Sequence, residues 1–274
     1  MKTWFITGTS SGFGRILCEK LLKRGDRVVA TLLWLNALDD LKAQAGDCLQ
    51  IVSLDVANVE AVRAGHRPII RRFRSHGGVV SNAGYGLFGA AEEVTDDQVD
   101  RQINTNLIGS IALIRACLPH VRRQGGGHIL QVSSEGGQMT YPGFSLYHAT
   151  KWGIEGFVEV VAEEVEPFGI RFTLVEPGPT GTNFCAGLVK ADLLPAYDET
   201  PVGELRRAWA AGSFRVTGDA SKVVDAMIAV ADDPLPPIRL TLGSMAYESI
   251  RSALGERVGM LEAGKEVTLS VDRT

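Results

Sequence analysis

The 274-residue chain is poor in the side chains that bind metals or form disulfide frameworks, with four cysteines and five histidines. Cys18, Cys48, Cys117 and Cys185 are scattered and show no metal-ligand spacing, so no metal is expected. Cys18 and Cys117 fall in helical patterns, where a free cysteine serves as a small core residue. Reduced thiols place the chain in the cytoplasm. None of His120, His128 and His148 has a carboxylate at a telling spacing. No apolar run reaches transmembrane length, and a strand starting near residue 2 leaves no room for a signal peptide. A net charge of −4 argues against nucleic acid as the main partner. There is no internal repeat, low-complexity tract or linker. With 45% hydrophobic residues the chain is globular, and residues 1–274 suit one α/β domain with a large core.

The chemistry that is present sits in short segments. In Ser145-Leu146-Tyr147-His148-Ala149-Thr150-Lys151 a tyrosine and a lysine stand four apart, on one face of a helix. A free tyrosine has a pKa of about 10, and a nearby ammonium favours its phenolate and lowers that value. Tyr147 with Lys151 thus forms a tuned general acid and base.

At the N-terminus, Lys2-Thr3-Trp4-Phe5-Ile6-Thr7 reads as a buried strand that runs into Gly8-Thr9-Ser10-Ser11-Gly12-Phe13-Gly14 and then a helix. Strand, glycine turn and helix place a pyrophosphate on a helix N-terminus, where backbone N–H groups meet the anion. The spacing is Gly-x-x-x-Gly-x-Gly, distinct from the commoner Gly-x-Gly-x-x-Gly.

These segments resemble the short-chain dehydrogenase/reductase family, over roughly residues 3 to 185 and in the family's order. Thr7-Gly8-x-x-x-Gly12-x-Gly14 is similar to its cofactor turn, and Asn82-Ala83-Gly84 to its Asn-Ala-Gly element. Asn106 resembles the asparagine of its central helix. Ser134, thirteen residues before Tyr147, resembles its catalytic serine, and Pro177-Gly178-Pro179-Thr180-Gly181-Thr182 its Pro-Gly segment. Ala30-Thr31 and the Ser10–Gly14 turn look most like the single-domain branch of 17β-hydroxysteroid dehydrogenases and bacterial carbonyl reductases.

Strands are predicted at 3–7, 27–32, 49–54, 78–82, 127–132, 170–175 and about 237–241, with helices at 13–24, 36–45, 58–74, 96–123, 144–167 and 219–232. Alternation of this kind predicts a doubly wound parallel sheet of about seven strands, Rossmann-like. The resemblance implies the strand order 3-2-1-4-5-6-7. Residues 183–217 are too apolar for a solvated loop. By resemblance they form a substrate lid; a helical pair packed on the core is the other reading. The tail from 255 onward is expected to fray. Arg63, Arg67, Arg71, Arg72 and Arg74 read as a solvated helix face.

The resemblance implies NADP(H)-linked turnover of a hydrophobic ketone or secondary alcohol. Tyr147 would exchange the proton and Lys151 would hold the nicotinamide ribose. Ser134 would hydrogen-bond the substrate oxygen, with Ser133 as its rival. Asn106 would hold a helix irregularity and a water. Gly8, Ser10, Ser11, Gly12, Phe13, Gly14, Val56, Asn82, Ala83, Gly84, Pro177, Gly178, Thr180 and Thr182 would surround the cofactor. Asp55 would bind the adenine, or simply cap the helix that follows. At the end of the second strand, Ala30-Thr31-Leu32-Leu33-Trp34 offers no acid to repel a 2′-phosphate and no arginine to hold one. Ser11 and Arg15 are phosphate candidates, and NAD is the alternative cofactor. Gln138, Met139, Tyr141, Phe144 and Phe184 would make the pocket apolar.

A homodimer or homotetramer is expected from a second apolar helix face. It comprises Ile154, Phe157, Val158, Val161 and Val165, helped by Ile111, Leu113, Ile114 and Leu118; burial on the chain's own sheet is the alternative. A dinucleotide-binding sensor or scaffold without turnover is the alternative function.

Overall fold

The computed structural model describes residues 1–63 and 77–273. Nine strands occur among them: β1 (Thr3–Thr7), β2 (Arg27–Leu32), β3 (Leu49–Ser53), β4 (Gly78–Ser81), β5 (Leu87–Phe88), β6 (Gly127–Val132), β7 (Ile170–Pro177), β8 (Val189–Lys190) and β9 (Arg239–Leu242). Seven of them form one parallel sheet in the order β3-β2-β1-β4-β6-β7-β9. Counting only these seven, the order is the expected 3-2-1-4-5-6-7. β5 and β8 pair separately, Leu87 opposite Val189.

The sheet is covered on both faces, so its strands are apolar on both sides. Side chains alternate in β1: Phe5 enters one core with Val29, Val79, Ile129 and Phe172, while Trp4 and Ile6 enter the other with Val28, Ala30, Val80 and Leu130. The α-helices bounded entirely within the described residues are α1 (Gly12–Lys23), α2 (Asp39–Ala45), α3 (Asp96–Ile103), α4 (Gly109–Arg123), α5 (Ser145–Val165), α6 (Pro201–Ala210), α7 (Ala220–Asp232), α8 (Ser244–Ala263) and α9 (Lys265–Leu269). The first core packs on α4 and α5, the second on α1 and α7.

Three expectations change. The predicted helix 96–123 is α3 and α4 joined through a π-helical turn at Asn104–Ile108. The tail does not simply fray, because α8 runs for 20 residues. Only Ala246 and Ile250 of α8 are buried, so no apolar stripe marks it in the sequence. The apolar residues credited with an intersubunit face are core residues of this chain: Ile154, Val158, Val161, Val165, Leu113 and Ile114 are buried against the sheet, with Phe157, Ile111 and Leu118 partly so. Beyond Arg63, the arginine-rich stretch and the rest of the predicted helix 58–74 lie outside the described residues.

Among the described residues, no helix is long and apolar enough to cross a membrane. Among the same described residues, no three His, Cys, Asp or Glu side chains gather as metal ligands would.

Candidate active site

The sequence-predicted site residues converge at the carboxyl ends of the parallel strands, where a doubly wound sheet binds its ligands. Gly8 follows β1 with φ +68°, and a Cβ there would lie 2.7 Å from Ala83 Cα. A Cβ on Gly14 would lie 2.3 Å from the Gly8 carbonyl oxygen. The turn therefore closes only on glycine. Asn82 locks it from β4: its Nδ2 donates to the carbonyls of Thr7 at 2.9 Å and Gly8 at 3.0 Å. The backbone N–H groups of Asn82 and Ala83 donate to Thr7 Oγ1 at 2.9 and 3.0 Å. Asn82 and Ala83 thus shape the cradle.

Ser10 and Ser11 are exposed at the start of α1, and Ser11 makes no side-chain cap hydrogen bond. The first-turn N–H groups of α1 are therefore not capped by Ser11, a donor set that suits a pyrophosphate. Phe13 packs partly against the second core. The Pro177–Thr182 segment approaches from β7, placing Thr182 Cβ 3.7 Å from where a Cβ of Gly12 would sit. There Gly178 N–H donates to Leu242 O at 3.0 Å, and Thr180 Oγ1 donates to Gly178 O at 2.8 Å. Asp55 is exposed, and its Oδ1 accepts from Ala57 N–H at 2.9 Å within a local turn; the helix that follows is capped by Asn58, whose Oδ1 accepts from Ala61 N–H at 2.9 Å. Val56 is buried, its carbonyl beneath Gly109.

The acid–base residues meet beside this cradle. Ser134 follows β6, and its hydroxyl accepts from Gly136 N–H at 3.1 Å and lies near Tyr147, where it favours the ionised phenol. Ser133 instead donates into the interior, to Glu155 Oε1. Geometry thereby separates the two serines. Lys151 Nζ donates to Val132 O at 3.0 Å and lies 5.4 Å from the centre of the Tyr147 ring. Asn106 lies in the π turn, as expected of a helix irregularity. Its Oδ1 accepts from Tyr85 N–H at 3.1 Å, and its Nδ2 donates to Tyr85 O at 2.9 Å. A Cβ on Gly84 would be 3.2 Å from Asn106 Oδ1.

One electrostatic expectation is corrected. Burial pushes Tyr147 up to about 12, opposed by the nearby Ser134 hydroxyl. The lysine does not bring it below 10, because its ammonium is itself desolvated and pushed down to about 8.

The pocket wall is partly as expected. Phe144 and Phe184 flank Tyr147, with ring centroids 6.1 and 5.6 Å away. Met139 continues the backbone turn through Glu135 O. Tyr141 and Gln138 are engaged elsewhere: Tyr141 donates to Glu135, and Gln138 Nε2 donates to Glu176 Oε2 at 2.7 Å. His148 clamps this loop, with Nε2 accepting from Tyr141 N–H at 2.8 Å and Nδ1 2.7 Å from Gly136 O. Within 183–217, Trp209 of α6 packs edge-to-face on Phe88 and Phe144, with ring centroids 5.0 and 5.6 Å away. Arg206 of α6 pairs at 2.8 Å with Glu93, whose side chain is fully buried.

Sequence reasoning missed the buried carboxylates. Glu135, Glu155 and Glu176 lie behind the serine pair, and Arg239 binds the last two. Glu155 stands four residues after Lys151, the same spacing that drew attention to Tyr147. The α8 contacts, with Arg257 Nη2 donating to Gln138 O, carried no sequence signal.

A family model described as short chain dehydrogenase matches residues 2–192. Oxidoreductase BOA17 of Botryotinia fuckeliana is 33% identical, with 98% of each chain covered. A short-chain dehydrogenase structure from Streptomyces avermitilis is 36% identical with a TM-score of 0.91, covering 99% of this chain and 98% of that one. The closed form of a serine dehydrogenase complexed with NADP+ is 25% identical with a TM-score of 0.72, covering 88% of this chain and 94% of that one.

Proposed function

The chain belongs to the short-chain dehydrogenase/reductase family, and on that premise we propose that it moves a hydride between NADP(H) and a hydrophobic ketone or secondary alcohol, with Tyr147 as general acid and base. The observation that carries the reading is the gathering of Ser134, Tyr147 and Lys151: Lys151 Nζ lies 5.4 Å from the centre of the Tyr147 ring, one helical turn on, and the Ser134 hydroxyl is near enough to ease ionisation of Tyr147. NADP(H) supplies the hydride when bound; the chain binds and orients the reactants and handles the proton. In reduction Ser134 donates a hydrogen bond to the substrate oxygen and Tyr147 gives it a proton. In oxidation the Tyr147 phenolate takes the proton back. Lys151 holds the nicotinamide ribose, and Phe144 and Phe184 favour an apolar substrate.

Three features support NADP(H). No acid stands at the end of β2, where Leu33 and Trp34 are 53% and 72% exposed. Arg15 reaches the same edge, donating to Ala37 O at 2.8 Å, with Asp40 and Glu19 as ion-pair partners. The similar serine dehydrogenase was solved with NADP+. Leu33→Arg should raise kcat/KM for NADPH over NADH, because a guanidinium there can form charge-assisted bonds with a 2′-phosphate. An unchanged ratio would mean that Leu33 does not face the adenosine ribose.

Residues 183–217 are proposed as the substrate lid, since Trp209 and Phe184 pack around Phe144 and Tyr147. The four unpaired cysteines suit the cytoplasm. A homodimer or homotetramer is proposed through what α5 leaves exposed, Trp152, Gly156 and Val160. Light scattering should give two or four times the 29.5 kDa chain mass, and a monomer at micromolar concentration would end that proposal.

Steady NADPH oxidation with a panel of hydrophobic ketones tests the function. Tight NADPH binding without turnover on any of them would favour a sensor or scaffold.

A further inference from the structure

Glu155 is 2% exposed and lies on α5, one helical turn beyond Lys151. Side chains so spaced have Cβ atoms about 5–6 Å apart. Its Oε1 accepts from Ser133, the residue before Ser134, and its Oε2 accepts from Arg239 Nη1 at 2.6 Å. A Cβ on Gly137 would lie 1.7 Å from Oε1, so the carboxylate fills the space left by a glycine of the catalytic loop. The groups facing it are Ser133 at the end of β6, Glu176 on β7, Arg239 on β9, and Lys151 and Glu159 on its own helix.

We propose that Glu155 is a positioning residue for Lys151 and Ser134: a clamped, buried carboxylate that keeps the lysine charged and holds the strand end carrying the serine. The inference rests on the role given to Lys151 above. Burial of an ammonium favours its neutral form, and an opposite charge nearby restores the charged one. Lys151 shows both effects, pushed down to about 8 by burial against the opposing charge of Glu155. The other titratable group beside Lys151 is Tyr147, which stays protonated over this range. Arg239 and Ser133 in turn favour the ionised form of Glu155 against its own burial.

The test is NADPH affinity against pH, read from the fluorescence of bound NADPH, which needs no substrate. Wild-type affinity should fall across about pH 8 as Lys151 loses its charge, and Lys151→Met should lack that step. Glu155→Gln should move the step down by about one pH unit or more. Glu155→Asp should keep it close to the wild-type position. Ser133→Ala should move it in the same direction by less, because it removes a hydrogen bond to the carboxylate. An unmoved step in Glu155→Gln, or weakening that is equal at every pH, overturns the proposal. If Glu155→Gln does not fold, an unmoved step in Ser133→Ala overturns it instead. A wild-type step that persists in Lys151→Met removes the role of Lys151 and this inference with it. A step that depends on Lys151 but not on Glu155 refutes this inference alone.

Discussion

Tyr147→Phe should turn over at no more than about a hundredth of the wild-type rate, while its NADPH affinity stays nearly unchanged. A positioned proton donor contributes about 10²–10⁴-fold, or roughly 3–5 kcal/mol of barrier. The substitution removes the hydroxyl whose ionisation the neighbouring Ser134 favours. It keeps the ring that packs against Phe144 and Phe184, so the fold should be unaffected. Because Tyr147 is raised to about 12, it stays protonated across the neutral range and is ready to donate in reduction. A fall in the reduction rate with rising pH should therefore follow Lys151, near 8, and not the tyrosine. Alcohol oxidation needs the phenolate and should quicken as pH rises. Steady-state kcat and fluorescence titration with NADPH check these points. Retention of more than about a tenth of wild-type kcat would remove Tyr147 as the acid.

Arg239→Met should lower stability at neutral pH by about 3–5 kcal/mol, the cost of removing one partner from a buried ion pair. Arg239 holds Glu155 at 2.6 Å, Glu159 at 2.8 Å and also Glu176. The Glu155 and Glu176 side chains are 3% and 0% exposed, so little water replaces the guanidinium. Gln138 and Thr241 still serve Glu176, which limits the loss. The pH dependence has a definite sign. Burial already raises Glu155 above its ordinary 4.5, and losing Arg239 raises it further. A carboxyl raised in this way contributes stability that is present below 4.5 and lost as pH rises through its folded value. The deficit of the variant should thus be small at acid pH and grow towards neutrality. Denaturant unfolding of both proteins at about pH 5 and about pH 8 measures it. A deficit under about 1 kcal/mol at the higher pH, against the 3–5 expected, or one that grows on acidification, would refute this account.

Both variants probe a network of which the sequence displays only half. The seven sheet strands are legible because a parallel strand buried on both faces is a continuous apolar run between turn residues. The glycine turn is legible because only glycine tolerates the close approach of Gly14 to the Gly8 carbonyl. Tyr147 and Lys151 are legible because helical spacing is local. Tertiary structure decided the rest. It turned Ser133 to Glu155 and Ser134 to Tyr147, a choice that adjacent serines cannot express locally. It raised Tyr147 and lowered Lys151, because desolvation depends on everything packed around a group and not on its neighbours along the chain. It buried the apolar face of α5 in the chain's own core. It also gathered Glu155, Glu176 and Arg239, up to 84 residues apart in sequence, around one guanidinium, a pairing with no period or spacing to announce it.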